Sequence, residues 1–265
     1  MFRKLAIPML TLALAAPAAA WEFAVCADPS GLPYSSRLGT SYDNRIATII
    51  AEELGADLRF VWLPDHRSRT ARGFLHEGAC DAIMGVIDGQ NGTLTSHAYY
   101  RTTYVFVSRD GAVTSLEDPA LAGMRIGVPG GARRTTPPSV ALVRRGHIER
   151  LVHFGASATA GETEARIVDA LLSDEIDLAI LWGPMAGDLT HEDLVATPVS
   201  PEIDIPFLPM FAALTIGVRP HDEALRDAID HALAVRWDEV QAVLADAHVP
   251  LLPLPRPLLT QEIGQ

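Results

Sequence analysis

Residues 79–109 read ACDAIMGVIDGQNGTLTSHAYYRTTYVFVSR. An Asp opens an apolar run, a Gly-rich polar loop follows, and a second run is dominated by aromatic and β-branched residues. The pattern predicts a buried strand over Ala82–Val86, a loop, and a strand over Tyr104–Ser108 that leaves one lobe for another. The approach to this stretch recurs 96 residues later. ARGFLHEGACDAIMG (71–85) and ARIVDALLSDEIDLAILWG (165–183) each give an amphipathic helix, a short acidic or glycine turn, and an Asp (Asp81, Asp177) at the start of a buried strand. Two such units in one chain predict a two-lobed α/β cleft protein rather than one compact domain.

Outward from this core, Glu22–Ala27 reads as a short apolar strand, followed by the turn-rich loop Asp28–Tyr34. A helix from about Asp43 to Leu54 carries Ile46, Ile49, Ile50 and Leu54 on one face and ends at Gly55. Leu58–Leu63 is the next strand, and a helix through Arg72 and Leu75 leads to the strand after Asp81. Strands alternating with helices imply parallel pairing with crossover connections. A second series starts at 124–128 and continues at Arg150–Phe154 and Leu178–Leu181. Phe211–Val218 reads as a return strand, followed by two amphipathic helices and a proline-rich tail from Pro250 expected to run extended over the surface. Crossings near Ser108–Asp110 and Leu214–Val218 divide the chain into a leader (1–20), a first lobe (21–108 plus 214–265) and a second lobe (109–213).

Met1–Ala20 has basic Arg3 and Lys4, an apolar run around Leu10–Ala16 and the small-residue end Ala18-Ala19-Ala20, the pattern of a secretory signal cleaved near Ala20. Its apolar run falls short of the ~20 residues that a spanning helix needs, and no later segment is long and apolar enough. The exported chain is therefore expected to be soluble. The formal charge is −12, and loss of Arg3 and Lys4 with the leader deepens it. Nucleic acid and anionic membranes are disfavoured as partners, and a basic protein would suit. Lys4 is the only lysine. After cleavage there is none for a Schiff base, a pyridoxal cofactor or a phosphate-binding loop.

Cys26 and Cys80 are the only cysteines, and an exported chain meets an oxidising compartment. If their strands lie parallel, a three-residue stagger separates them by roughly 10 Å, too far for a bridge without adjustment. A disulfide and two free thiols both remain open. Neither cysteine has a CxxC partner, and the nine histidines show no HxxxH or HExxH spacing, so no metal site is expected. No GxSxG or comparable nucleophile motif occurs, and Gly127-Val128-Pro129-Gly130-Gly131 is not a dinucleotide fingerprint. No cofactor and no catalytic residue are assigned.

Several pieces, in order, resemble a type II periplasmic solute-binding protein, specifically the quinoprotein-dehydrogenase-associated (MoxJ/XoxJ-like) branch. They are Val25-Cys26-Ala27-Asp28-Pro29 with Leu32-Pro33-Tyr34-Ser35, Cys80-Asp81 with Gly85-Val86, and the run Tyr99–Val107. Later pieces are Thr136-Pro137-Pro138, Ala165–Ala170, Trp182-Gly183-Pro184 with Ala186-Gly187, and Gly217-Val218-Arg219. The resemblance implies two α/β lobes joined by a double-strand hinge, with a cleft between them. It also implies a periplasmic accessory protein for a PQQ-dependent methanol or alcohol dehydrogenase, assisting its maturation or activation, and not an enzyme. The alternative is the substrate-binding component of an ABC importer for a small polar solute, partnered by a permease. The stretch Trp62–Arg69 departs from the branch's more aromatic pattern, and Asp88–Gly92 is more polar than expected.

Ligands of open α/β sheets sit beyond the carboxyl ends of the strands, which places the site between the lobes. Candidate ligand-binding residues are Asp28, Tyr34, Arg67, Arg72, Gly85, Arg133 and Trp182. For the arginines, a solvated helix face or a stiff turn competes with binding. For Tyr34 and Trp182, plain packing competes. Amino-acid receptors of this fold clamp the ligand carboxylate with an arginine soon after the third strand, a task suited to a bidentate guanidinium. Ile87–Thr93 contains none.

Overall fold

The computed structural model describes residues 21–64, 68–131, 135–155, 161–187 and 193–258. The leader, Arg67 and Arg133 lie outside the described residues. In chain order the first elements are β1 (Glu22–Ala27), α1 (Tyr42–Leu54), β2 (Asp57–Trp62), α2 (Ser68–His76), β3 (Ala82–Ile87), β4 (Leu94–Thr95) and β5 (Tyr100–Ser108). The second series is β6 (Ile126–Pro129), α3 (Pro137–Arg144), β7 (Leu151–Phe154), α4 (Glu162–Leu172), β8 (Leu178–Trp182) and α5 (Gly183–Gly187). It is followed by β9 (Val195–Pro198), β10 (Ile203–Asp204), β11 (Leu208–Pro209), β12 (Phe211–Val218), α6 (Glu223–Val235), α7 (Trp237–Asp246) and β13 (Leu251–Leu252).

The strand order is β2-β1-β3-β12-β5-β8-β6-β7. On one side β2, β1 and β3 run parallel, and on the other β7, β6 and β8 do. Each half puts its first strand in the middle, as βαβ crossovers require. The central strand β1 is apolar from Phe23 to Ala27 and buried over all five residues, as expected of a parallel strand covered on both faces. β12 and β5 join the two halves by antiparallel pairing.

β5 belongs to both halves. Tyr100–Thr103 pair with β12, whereas Tyr104–Val107 pair with β8 and Val105–Ser108 with β9. The change of partner falls between Thr103 and Tyr104, earlier than the Ser108–Asp110 crossing expected from sequence. Aromatic residues mark the spot because the chain there is covered on both faces. Tyr99 and Tyr100 are buried in the first core with Ile46, Ile50 and Ile216, while Phe106 is buried in the second with Ile126 and Leu178.

The repeated aspartates have one structural job. The Asp81 amide donates to the Ala24 carbonyl at 2.7 Å, and its carboxylate accepts from the Ala24 amide at 2.9 Å. The Asp177 amide donates to the Arg125 carbonyl at 2.9 Å, and its carboxylate accepts from the Arg125 amide at 2.7 Å. Each Asp thus pins its strand to the neighbouring first strand. An arginine completes each clamp: Arg219 reaches Asp81 at 3.0 Å, and Arg125 reaches Asp177 at 2.7 Å.

One open alternative is decided and one expectation changes. Cys26 and Cys80 form a disulfide, with Cα atoms 5.5 Å apart. The stagger is as read, since Cys26 faces Ile83. Cys80, however, precedes the strand in a turn held by Asp81 and by Arg219, which donates to the Cys80 carbonyl at 2.7 Å, so it does not extend away from its partner. The tail after Pro250 is also not merely laid over the surface. Leu251 and Leu252 pair with Thr102 and Arg101 of β5, and Thr102 Oγ1 donates to the Pro250 carbonyl at 2.7 Å.

Removing the Asp81 carboxylate deprives the amide of a buried strand of its acceptor, and such losses cost about 1–3 kcal/mol. Asp81→Ala is therefore expected to lower the unfolding free energy by that amount. Asp81→Asn, which keeps an acceptor oxygen, should lose less. Urea titration of the three proteins measures the difference, and equal midpoints would remove the clamp from this account.

Candidate functional site

A cavity of about 500 Å³ opens where the carboxyl ends of β1 and β3 face the start of α4 and α5. Four of the sequence candidates, Asp28, Tyr34, Arg72 and Gly85, line it. The loop after β1 brings Asp28 and Tyr34, held by a turn in which the Tyr34 and Ser35 amides both donate to the Gly31 carbonyl. Arg72 comes from α2. Trp182 is not in the lining, but its ring packs edge-on to Tyr104 with centroids 5.0 Å apart. Gly183, which follows it, has no room for a side chain. A Cβ there would lie 2.5 Å from the Thr103 carbonyl oxygen, so α5 seats directly on the strand shared by both halves.

The deepest polar groups of the cavity were not among the sequence candidates. Asp43 and Asn44, at the start of α1, line it while remaining 5% and 1% exposed. Tyr99 donates its hydroxyl to Asp43 Oδ1 at 2.7 Å. Gly85 has φ +67°, a conformation that favours glycine, and a Cβ there would lie 3.4 Å from Asp43 Oδ2, in ordinary contact with the carboxylate. Asn44 Oδ1 accepts from the Ser36 amide at 2.9 Å, but Asn44 Nδ2 has no hydrogen-bond partner in the structure. Glu164 and Met185 line the opposite side, from α4 and α5.

Burial dominates the electrostatics. It pushes the Asp43 carboxyl up to about 7, with the Tyr99 hydrogen bond pulling weakly the other way. It also drives the Tyr34 hydroxyl far above its ordinary value, helped by the Asp43 charge and opposed by Trp182. Tyr99 and Tyr100 are pushed up in the same way. Such a cluster of neutral phenols around one carboxyl supplies hydrogen bonds but no counter-charge. Among the described residues Asp43 has no ion-pair partner, and no three His, Cys, Asp or Glu side chains gather as a metal site would require. No helix among them is long and apolar enough to cross a membrane.

A second feature lies away from the cavity. Residues 203–209 form a small antiparallel hairpin, β10 to β11. Its tip presents Ile205 at 83% and Phe207 at 92% exposure. The hairpin is held from below: Arg145 makes a two-pronged bond to Asp204 at 2.9 and 2.8 Å, and Arg144 donates to the Ile205 carbonyl at 2.9 Å.

No protein-family model matches the chain. Among curated proteins, it is 31% identical over 240 residues to Protein MoxJ of Methylorubrum extorquens, covering 84% of this chain and 79% of that one. Among solved structures, it matches the periplasmic binding protein XoxJ from Methylobacterium extorquens AM1 at 31% identity and a TM-score of 0.70, covering 88% of this chain and all of that one. It also matches MxaJ from Methlophaga aminisulfidivorans MPT at 25% identity and a TM-score of 0.74, covering 87% of this chain and all of that one.

The buried carboxyl has a measurable signature. Below about pH 4 Asp43 is protonated in both the folded and the unfolded chain. From there to about pH 7 the unfolded chain has lost the proton and the folded chain still holds it, so stability falls as pH rises, by up to about 4 kcal/mol in total. Above pH 7 the loss is complete and constant. Asp43→Asn is expected to abolish this contribution, matching the parent near pH 4 and exceeding it at pH 8. Urea unfolding of both proteins at the two pH values checks it, and parallel profiles would refute a raised Asp43.

Proposed function

Because the chain belongs to the family of MoxJ and the periplasmic binding protein XoxJ, we propose that it is a periplasmic accessory protein of a PQQ-dependent quinoprotein alcohol dehydrogenase. Its task is to assist maturation or activation of that enzyme, and the division into lobes close to 21–108 plus 214–265 and 109–213 serves closure around the cavity between them. The carrying observation is the likeness to family members over most of the chain, extending through the solved structures' full length. A two-state, hinge-linked binding protein acts on a partner by binding one of its conformations more tightly, and differential affinity is all that such a mechanism needs.

The chain's surface fits a protein partner. Large apolar side chains exposed together at a rigid tip are costly in water and mark interaction sites. Ile205 and Phe207 are displayed in that way on a hairpin braced by Arg144 and Arg145. We assign this tip to the dehydrogenase contact. Asp28, Tyr34, Arg72, Gly85 and Trp182, with Arg67 and Arg133 from sequence alone, stay assigned to the ligand side.

Affinity purification of the tagged protein from periplasm is expected to recover a quinoprotein dehydrogenase. The double substitution I205S/F207S should reduce that recovery at least fivefold while leaving the circular dichroism and unfolding midpoint unchanged. Recovery of a permease complex without any dehydrogenase would overturn the reading in favour of an importer. Undiminished capture by the double variant would move the contact elsewhere on the surface.

A further inference from the structure

We propose that the cavity between the halves binds a small organic amine with an apolar body, held as its ammonium ion against the Asp43 carboxylate. The Asn44 amide donates to an oxygen on the same molecule.

The cavity is poor in positive charge. Its described lining includes three carboxylates, Asp28, Asp43 and Glu164, and Arg72 is its only cation. Asp28 is partly satisfied by its own loop, since its Oδ1 accepts from the Ser30 amide at 2.8 Å. Asp43 is different: it is buried, receives one hydroxyl bond from Tyr99 and is surrounded by tyrosines that cannot balance charge. An ionised carboxylate held in such surroundings without a counter-ion is expensive, and a cation arriving in the cavity relieves that cost. Low-dielectric walls with an excess of one sign also concentrate ligands of the opposite sign.

A second, independent observation comes from the neighbouring residue. Asn44 Nδ2 is a buried donor with no partner, on a residue that belongs to the cavity lining. Buried amide donors are satisfied in the great majority of cases, so an orphan one marks the place of an acceptor supplied from outside. A carboxylate and an amide donor on adjacent residues select a molecule carrying both a cationic group and an oxygen. Much of the remaining wall, including Leu32, Phe60, Leu63, Met84 and Met185, is apolar, with Ser35, Gln90, Thr93 and Thr163 among its uncharged polar members. The volume of about 500 Å³ lies within the usual range for small-ligand sites, about 300–1,000 Å³. Glu164 on α4 faces the site from the other half, so an ammonium ion held at Asp43 also draws that half inward.

The proposal rests on the interlobe cavity being the binding site of this protein, and not on the identity of its protein partner. Its test therefore leaves the affinity-purification result standing whichever way it falls.

Calorimetric titration with two matched sets of probes separates the charge classes: tyramine, 4-hydroxyphenethyl alcohol and 4-hydroxyphenylacetate, then 6-aminohexanol, 1,6-hexanediol and 6-hydroxyhexanoate. At least one of the two amines is expected to bind at least tenfold more tightly than its neutral and anionic counterparts and to raise the melting temperature. Asp43→Asn, which keeps an acceptor for Tyr99, should weaken that amine at least tenfold. Glu164→Gln, at a half-exposed position on α4, should weaken it about threefold. The proposal fails if neither amine binds, if an alcohol or carboxylate binds as well as its amine, or if both variants keep the parent affinity.

Discussion

One strand, β5, has to satisfy two half-sheets at once, and the rest of the architecture follows from that constraint. Its first four residues are committed to β12 and its next four to β8, so the registers of both halves are locked to each other through consecutive peptide units. Everything near the change of partner is arranged to keep the backbone satisfied there. Thr102 and Thr103 donate their hydroxyls to the Pro250 and Met210 carbonyls. The tail adds β13 beside Arg101 and Thr102. Gly183 lets α5 approach the Thr103 carbonyl closely enough to cover it. The two halves therefore share a backbone spine through β5.

The same constraint explains why so much of the fold is visible in the chain. The helix-turn-Asp-strand repeat is readable because its Asp is needed for a local reason, bonding both backbone groups of one residue in or just before the neighbouring strand. Parallel strands at the centre read as continuous apolar runs, and β1 is one. The partner change within β5 is less readable: the strand YRTTYVFVS passes from a polar-containing first half to an apolar second half, but such a shift fits a change of burial as well as a change of neighbour. The sequence left the disulfide undecided because a stagger argument treats the approach to a strand as extended. Here the chain turns sharply just before Asp81.

The candidate site was half legible. Asp28, Tyr34, Arg72 and Gly85 lie at strand ends or on the helix beside them, where topology alone directs a search. Asp43 and Asn44 were passed over because polar residues at the first turn of a helix ordinarily serve the helix itself. What makes them different is tertiary: tyrosines from β5 and its approach close over the carboxyl, beside a glycine of β3. The hairpin at 203–209 gave no signal because its two prolines and short strands read as loop, and only its position shows that Ile205 and Phe207 are left uncovered.

Cys26 is both half of the disulfide and part of the cavity lining, while Cys80 is packed with Leu75 and Ala71 beneath the helix that carries Arg72. The back wall of the pocket is thus a covalent product of the compartment in which the chain matures. Material recovered from a reducing cytosol carries two thiols at that wall, and the helix bearing Arg72 then rests on a base that is no longer cross-linked. Where the polypeptide is oxidised becomes part of what defines its pocket, a condition that the amino-acid order alone does not carry.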